Sequence, residues 1–100
     1  MNVEVTSRHT VLSDALRAYA ATRLAEIERL GEEFPKAQIV FEQEHGLTGC
    51  EIILHPRRGD PIIAKTQAAE ARAAVDASVS KIEKQVLRAK EKRDDRRKGA

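Results

Sequence analysis

AQIVFEQEHGLTGCEIILHPRRGDPIIAKT, residues 37–66, is the stretch on which the fold turns. Ala37–Glu44 holds Ile39, Val40 and Phe41, β-branched and aromatic types that suit a pleated, half-buried surface. Gly46 and Gly49 punctuate the turn that follows. Cys50, Ile52 and Leu54 then alternate with Glu51, Ile53 and His55, a period of two that points to a strand with one buried face. His55-Pro56-Arg57-Arg58-Gly59-Asp60-Pro61 has the chemistry of a hairpin loop longer than two residues. Ile62–Thr66 completes a three-stranded meander.

A meander with one apolar face needs a cover, and both flanks supply one. Upstream, Asn2–Thr6 alternates with Val3 and Val5 on one side and reads as a short strand. Ser13 is placed to cap a helix, with Asp14 favourable near the positive end of its dipole. Leu16, Tyr19, Ala20, Leu24, Ile27 and Leu30 recur at three- and four-residue spacing, so a helix is expected over Asp14–Leu30. Gly31 is suited to end it. Glu32–Lys36 is a loop, since Pro35 cannot continue a helix. Downstream, from about Ala68, Ala71, Val75, Val79, Ile82, Val86 and Ala89 form the seam of a long helix. Residues 94–100 offer nothing to a core and are expected as a disordered basic tail. The sum is an α+β two-layer sandwich, β-α-β-β-β-α, with a four-stranded sheet and two helices on one face, in one domain over residues 1–93.

One hundred residues, 41% hydrophobic and 34% charged, suffice for a single core under a heavily solvated surface. No apolar run is long enough to span a bilayer, and MNVEVTSRH lacks a signal-peptide pattern. Cys50 is the single cysteine, which excludes an internal disulfide and a cysteine-rich zinc site, and a reducing cytoplasm is expected. The net charge of +2 conceals a gradient: Lys81–Lys98 holds nine basic and four acidic residues, a balance of +5, and the remainder stands at −3. Such polarity suggests an anionic partner.

The last helix shows how that charge is arranged. With Ile82 set at zero and about 100° per residue, Lys84, Arg88, Lys81 and Lys92 fall at roughly 200°, 240°, 260° and 280°. Four cations share one band away from the seam. Like charges three and four residues apart repel, and a partner with closely spaced phosphates relieves that repulsion and releases counterions. The competing reading is a plain solvated face; the charge gradient favours binding. A membrane surface fits less well, because the Ala, Val and Ile of the seam are needed by the sheet and no Trp or Phe accompanies the cations. Tyr19, Phe34 and Phe41 are the only aromatic residues, too few for base-stacking platforms, so recognition is expected through phosphates and the shape of folded RNA.

NVEVTSRHTVLSDALRAYAATRLAEIERL (2–30) and AAVDASVSKIEKQVLRAKEKR (73–93) resemble the short ribosome hibernation promoting factors, also called ribosome-associated inhibitors or sigma-factor modulation proteins. The resemblance covers about Met1–Arg93 and rests on joint order and spacing more than on any single string. It implies a fold related to double-stranded RNA-binding domains. It also implies a bacterial, cytoplasmic protein, monomeric off the ribosome, that binds small-subunit RNA in the channel for messenger and transfer RNA. Such a protein blocks initiation and preserves idle ribosomes in stress. The family's rRNA contacts fall on Arg17, Arg23 and Arg29 in the first helix, and on Lys81, Lys84, Arg88, Lys90 and Lys92 in the last. The first-helix arginines rest on resemblance alone, because their spacing does not place them on one band. Ala71 and Arg72 stand where the family often has Met-Tyr, and Glu26 where Lys is common. The resemblance is to the form without a second, dimerising domain.

Other chemistry finds little support. His9, His45 and His55 lack metal-ligand spacing and suit turns or surface. Cys50 falls on the apolar strand face, as an inert thiol. Asp76 suits a capping or surface role, and Glu42 with Glu44 has no pocket-forming partner. With no phosphate loop, nucleophile elbow or metal motif, no enzyme, cofactor, metal or small-molecule substrate is expected. For Arg57 and Arg58 a phosphate contact and an exposed turn weigh evenly. A conventional double-stranded RNA-binding domain would put its basic cluster at the start of the last helix, where Ala68–Asp76 is nearly neutral. The alternative from another class is a protein–protein regulatory module, of the transcription-factor-modulating kind. It would use Val40 and Ile53 on the sheet face opposite the helices.

Overall fold

Every second residue from Ala37 to Phe41 is fully buried, as are Cys50, Ile52 and Leu54. The computed structural model describes residues 1–99, with side chains described through Arg93. Its elements are β1 (Asn2–Arg8), α1 (Asp14–Ala25), β2 (Lys36–Glu44), β3 (Leu47–His55), β4 (Ile62–Ala68) and α2 (Ala71–Gly99). The expected β-α-β-β-β-α order is therefore present. The sheet runs β1-β2-β3-β4, with β1 parallel to β2 and the other two pairs antiparallel. Its register lines Val5, Ile39, Ile52 and Ala64 in one row across all four strands, and Ser7, Phe41, Cys50 and Thr66 in the next.

Both helices cover that face. Leu24 and Ile27 come from the first helical segment, and Val75, Val79, Ile82 and Val86 from α2, all at most 2% exposed. Burying each such side chain contributes on the order of 1.5–3 kcal/mol. Ser13 caps α1 as expected, its Oγ accepting from Leu16 N–H at 3.1 Å. The helix does not stay α to Leu30. Glu26–Leu30 tightens into a 3-10 turn that closes on Gly31 at φ 80°, whose N–H donates to Glu28 O. Tightening of this kind satisfies carbonyls that an α-helix end leaves without partners.

The β2–β3 connection is shorter than the two glycines suggested. His45 (φ 52°) and Gly46 (φ 77°) form a two-residue turn with both backbones left-handed, the geometry whose twist matches flanking strands. Gly49 lies inside β3, opposite Glu42, so β3 begins three residues earlier than Cys50. At the other end β4 continues to Ala68, and α2 starts at Ala71. α2 is assigned through Gly99. The expected disordered tail over 94–100 falls outside the residues whose side chains are described.

One polar side chain interrupts the α2 seam. Ser78 is fully buried, and its hydroxyl donates to Cys50 O at 2.7 Å while standing 2.6 Å from Thr66 Oγ1. Thr66 Oγ1 also lies 3.0 Å from Ala74 O. These bonds tie α2 to β3 and β4.

Candidate nucleic-acid interface

Lys81, Lys84, Arg88 and Lys92 are all exposed on the outward band of α2. From Lys81 to Lys92 the band extends about 16 Å along the helix. Lys84, Arg88 and Lys92 have no ion-pair or hydrogen-bond partner among the described residues. Lys81 Nζ donates to Lys65 O at 3.3 Å, and Gln85 Nε2 to Ile63 O at 2.9 Å. These two bonds lay the band along the outer edge of β4 and cover two edge carbonyls, which blunts that edge against strand addition. Arg88 and Lys92 line a shallow hollow with Pro61, Ile62 and Ile63. Lys90 points elsewhere: half-buried, it donates to Leu30 O at 2.9 Å, a cation on the end of the first helical segment.

The arginines of the first helical segment are held within the chain. Arg17 Nη1 donates to Val5 O on the β1 backbone at 2.9 Å. Arg23 bridges two carboxylates, its Nε 3.2 Å from Asp76 Oδ1 and its Nη1 3.2 Å from Glu26 Oε2. Arg29 pairs with Glu83. Asp76, expected in a capping or surface role, is partly exposed and is the centre of an interhelix cluster, accepting from Tyr19 Oη at 2.5 Å as well as from Arg23. The Tyr19 hydrogen bond, followed by Arg23, holds the Asp76 carboxyl below the usual carboxylate range. The same bond raises the Tyr19 phenol, and the Asp76 contact raises Arg23. Arg72 stacks its guanidinium 4.4 Å from the Tyr19 ring centroid, a cation–π contact. Of the departures from the family pattern, Arg72 joins the two helices, while Glu26 pairs with Arg23 within the first helical segment.

The arginines of the β3–β4 loop line one hollow together but differ in their partners. Arg57 Nε sits 2.6 Å from Glu33 Oε2, while Arg58 also lines a groove against α2 that Lys92 lines from the helix. Across that groove Arg93 pairs with Glu32, and this bond holds the Glu32 carboxyl below its usual range.

Cys50 is fully buried, and burial pushes its thiol up to about 11 while Ser78 pulls the other way. His9 and His45 are exposed at left-handed backbone positions, and His55 Nε2 is 2.9 Å from Gln38 Oε1 on the open sheet face. Among the described residues no three His, Cys, Asp or Glu side chains gather to hold a metal, and no helix is long and apolar enough to cross a membrane.

Comparison with known proteins agrees with this architecture. A ribosome hibernation promoting factor from Azotobacter vinelandii is 26% identical over 99 residues, covering 99% of this chain and 92% of that protein. One from Salmonella typhimurium is 26% identical over 92 residues, covering 92% and 96%. Among solved structures, a ribosomal subunit interface protein from Coxiella burnetii superposes at a TM-score of 0.84 with 22% identity, over 91% of this chain and 99% of that one. The N-terminal domain of Protein Y from Thermus thermophilus gives 0.78 with 28% identity, over 88% and 98%. Residues 3–94 match the model of one family. The chain belongs to the sigma 54 modulation protein / S30EA ribosomal protein family.

Proposed function

We propose that this chain regulates translation by binding the ribosome. Its site is the small-subunit channel for messenger and transfer RNA, where occupancy blocks initiation and keeps ribosomes idle in stress. The single observation that carries this reading is the outward band of Lys84, Arg88 and Lys92, cations without an acidic partner among the described residues. Family membership and relatives named as hibernation promoting factors support it. Phosphates meeting the band displace its counterions, a gain that needs no base-specific contact. Of the rRNA-contact residues, Lys84, Arg88 and Lys92 act directly. Lys81 and Lys90 reach phosphate by leaving a backbone carbonyl, and Arg17, Arg23 and Arg29 would each have to share or release a partner. The protein acts without catalysis, in the cytoplasm, and as a monomer off the ribosome.

Sucrose-gradient fractionation at moderate salt tests this. The protein should travel with small subunits or whole ribosomes, and adding it should inhibit cell-free translation. Protein left at the top of the gradient, with translation unimpaired, overturns the proposal.

A second reading, a protein–protein regulatory module, is favoured by the open sheet face. There Val40 and Ile53 are half-buried, and Ile53 pairs across strands with Ile63, which is 49% exposed. Glu51 and Lys65 interrupt that patch in the neighbouring row. A ribonuclease-insensitive pull-down enriching one non-ribosomal protein would favour it.

A further inference from the structure

The two arginines of the β3–β4 loop, Arg57 and Arg58, share one hollow with Glu32, Glu33 and Arg93 but differ in their pairing. Arg57 pairs with Glu33 and also lines a hollow whose other charged side chains are Glu28, Glu32 and Glu33. Its charge is matched there. Arg58 has no ion pair or side-chain hydrogen bond among the described residues. Besides the hollow it shares with Arg57, it lines a second groove, of about 400 Å³, between the loop and α2.

Lys92 lines that groove from the helix side, and Phe34, Ile62 and Val86 give it an apolar lining. Of its two carboxylates, Glu32 is already held by Arg93, which leaves Asp60 to set against Arg58, Lys92 and Lys90, the last bonded to Leu30 O. Lys92 also lines the hollow at Arg88, so the groove continues the cationic band instead of forming a separate patch. Pro56 and Pro61 bracket the loop and restrict its backbone, which reduces the entropic cost of ordering Arg58 in the groove that Lys92 also lines.

We propose that Arg58 and Lys92 clamp one phosphodiester of the bound RNA from two sides, with the apolar lining taking the adjoining nucleoside. The inference rests on the RNA-binding reading above and extends it from α2 onto the β3–β4 loop. Phosphate is the occupant that the charges select, since a guanidinium offers paired donors to two of its oxygens and the ammonium adds a point charge.

The test measures affinity of the full chain for purified small ribosomal subunits over a range of salt. Arg58→Ala should weaken binding about tenfold, the scale of one charge-assisted hydrogen bond. It should also lower the salt slope by about one, whereas Arg57→Ala should change neither. Arg58→Ala with Lys92→Ala should lose less than the product of the single losses, because both hold the same phosphate. Wild-type binding by Arg58→Ala, an equal loss from Arg57→Ala, or fully multiplicative losses would each overturn the clamp. Lys84→Glu with Arg88→Glu serves as the reference. If that variant is impaired while Arg58→Ala is not, only the clamp fails; if it too binds normally, the RNA-binding reading fails with it.

Discussion

Arg17, Arg23 and Arg29 each end on a partner within the chain, whereas Lys84, Arg88 and Lys92 end in solvent. Arg17 ends on the β1 backbone; for Arg23 and Arg29 the difference lies in how α2 divides its circumference. With Ile82 at zero, Val75, Val86 and Val79 fall within about 60° and face the sheet. Arg72, Lys90, Glu83 and Asp76 follow at about 80–120° and meet the first helical segment at Tyr19, Leu30, Arg29 and Arg23. The band at about 200–280° faces away from both. One helix thus offers apolar groups to the core, two carboxylates and two cations to its neighbour, and a band of cations outward. A cation is available to a partner according to which carboxylates share its sector, not according to how many cations its helix carries.

The largest effect should come from breaking the outward sector. Lys84→Glu with Arg88→Glu is expected to weaken small-subunit binding by about a hundredfold or more and to flatten its salt dependence by about two units of slope. Thermal stability should stay within about 0.5 kcal/mol, because neither side chain has a partner to lose. A comparable binding loss from Arg23→Ala would erase the distinction between the helices. Next in size is Ser78→Ala, which removes the donor to Cys50 O. It should cost about 1–3 kcal/mol, and each kcal/mol is worth roughly 4–8 °C in melting temperature for a domain of this size. Binding below the transition should be retained. If the folded variant also binds poorly, the Ser78 bonds set the helix rotation as well as anchoring it.

How much of this was legible in the sequence depended on how far apart the interacting residues lie. The period-two pattern through Ile39, Ile52 and Ala64 placed the sheet's buried face, and the step of about 100° per residue placed the band, because both follow from neighbouring positions. Gly49 misled, since a glycine after Gly46 reads as a turn although the left-handed backbone sits at His45–Gly46. The 3-10 turn at Glu26–Leu30 left no mark on the apolar spacing, which suits either helix. Glu26 lies three residues from Arg23, but the carboxylates that tie Arg23 and Arg29 to α2 lie 53 and 54 residues away, and the one on Arg57 lies 24 away. No local window brings those pairs together. Only the packing of α2 against α1, and of the β3–β4 loop against Glu33, does so.

The interhelix cluster should announce itself through pH. Asp76 is held below its unfolded value, so its contribution to stability is full above about pH 4 and fades as pH falls through the folded value. Tyr19 is raised, so its contribution is full below about pH 10 and fades as pH climbs through the folded value. Asp76→Asn should therefore lower the melting temperature by a few degrees at neutral pH. The gap from the parent should narrow toward both extremes. A gap that is constant with pH would mean that shape, not charge, joins the helices at this point.

Arg29→Ala should give the smallest effect and draws the division most finely. The Arg29–Glu83 pair is exposed, at 57% and 27% of the two side chains, so its contribution is at most about 1 kcal/mol and is screened by salt. Melting temperature should fall by a few degrees at low ionic strength and hardly at all in molar salt. Small-subunit binding should change much less than for Lys84→Ala, because removing Arg29 takes away a charge that Glu83 already matches. If Arg29→Ala instead weakens binding as much as Lys84→Ala, Glu83 must release Arg29 to the RNA in the complex. The division between structural and available cations would then belong to the free protein alone, and Glu83→Gln, which frees Arg29 in advance, should bind more tightly than the parent.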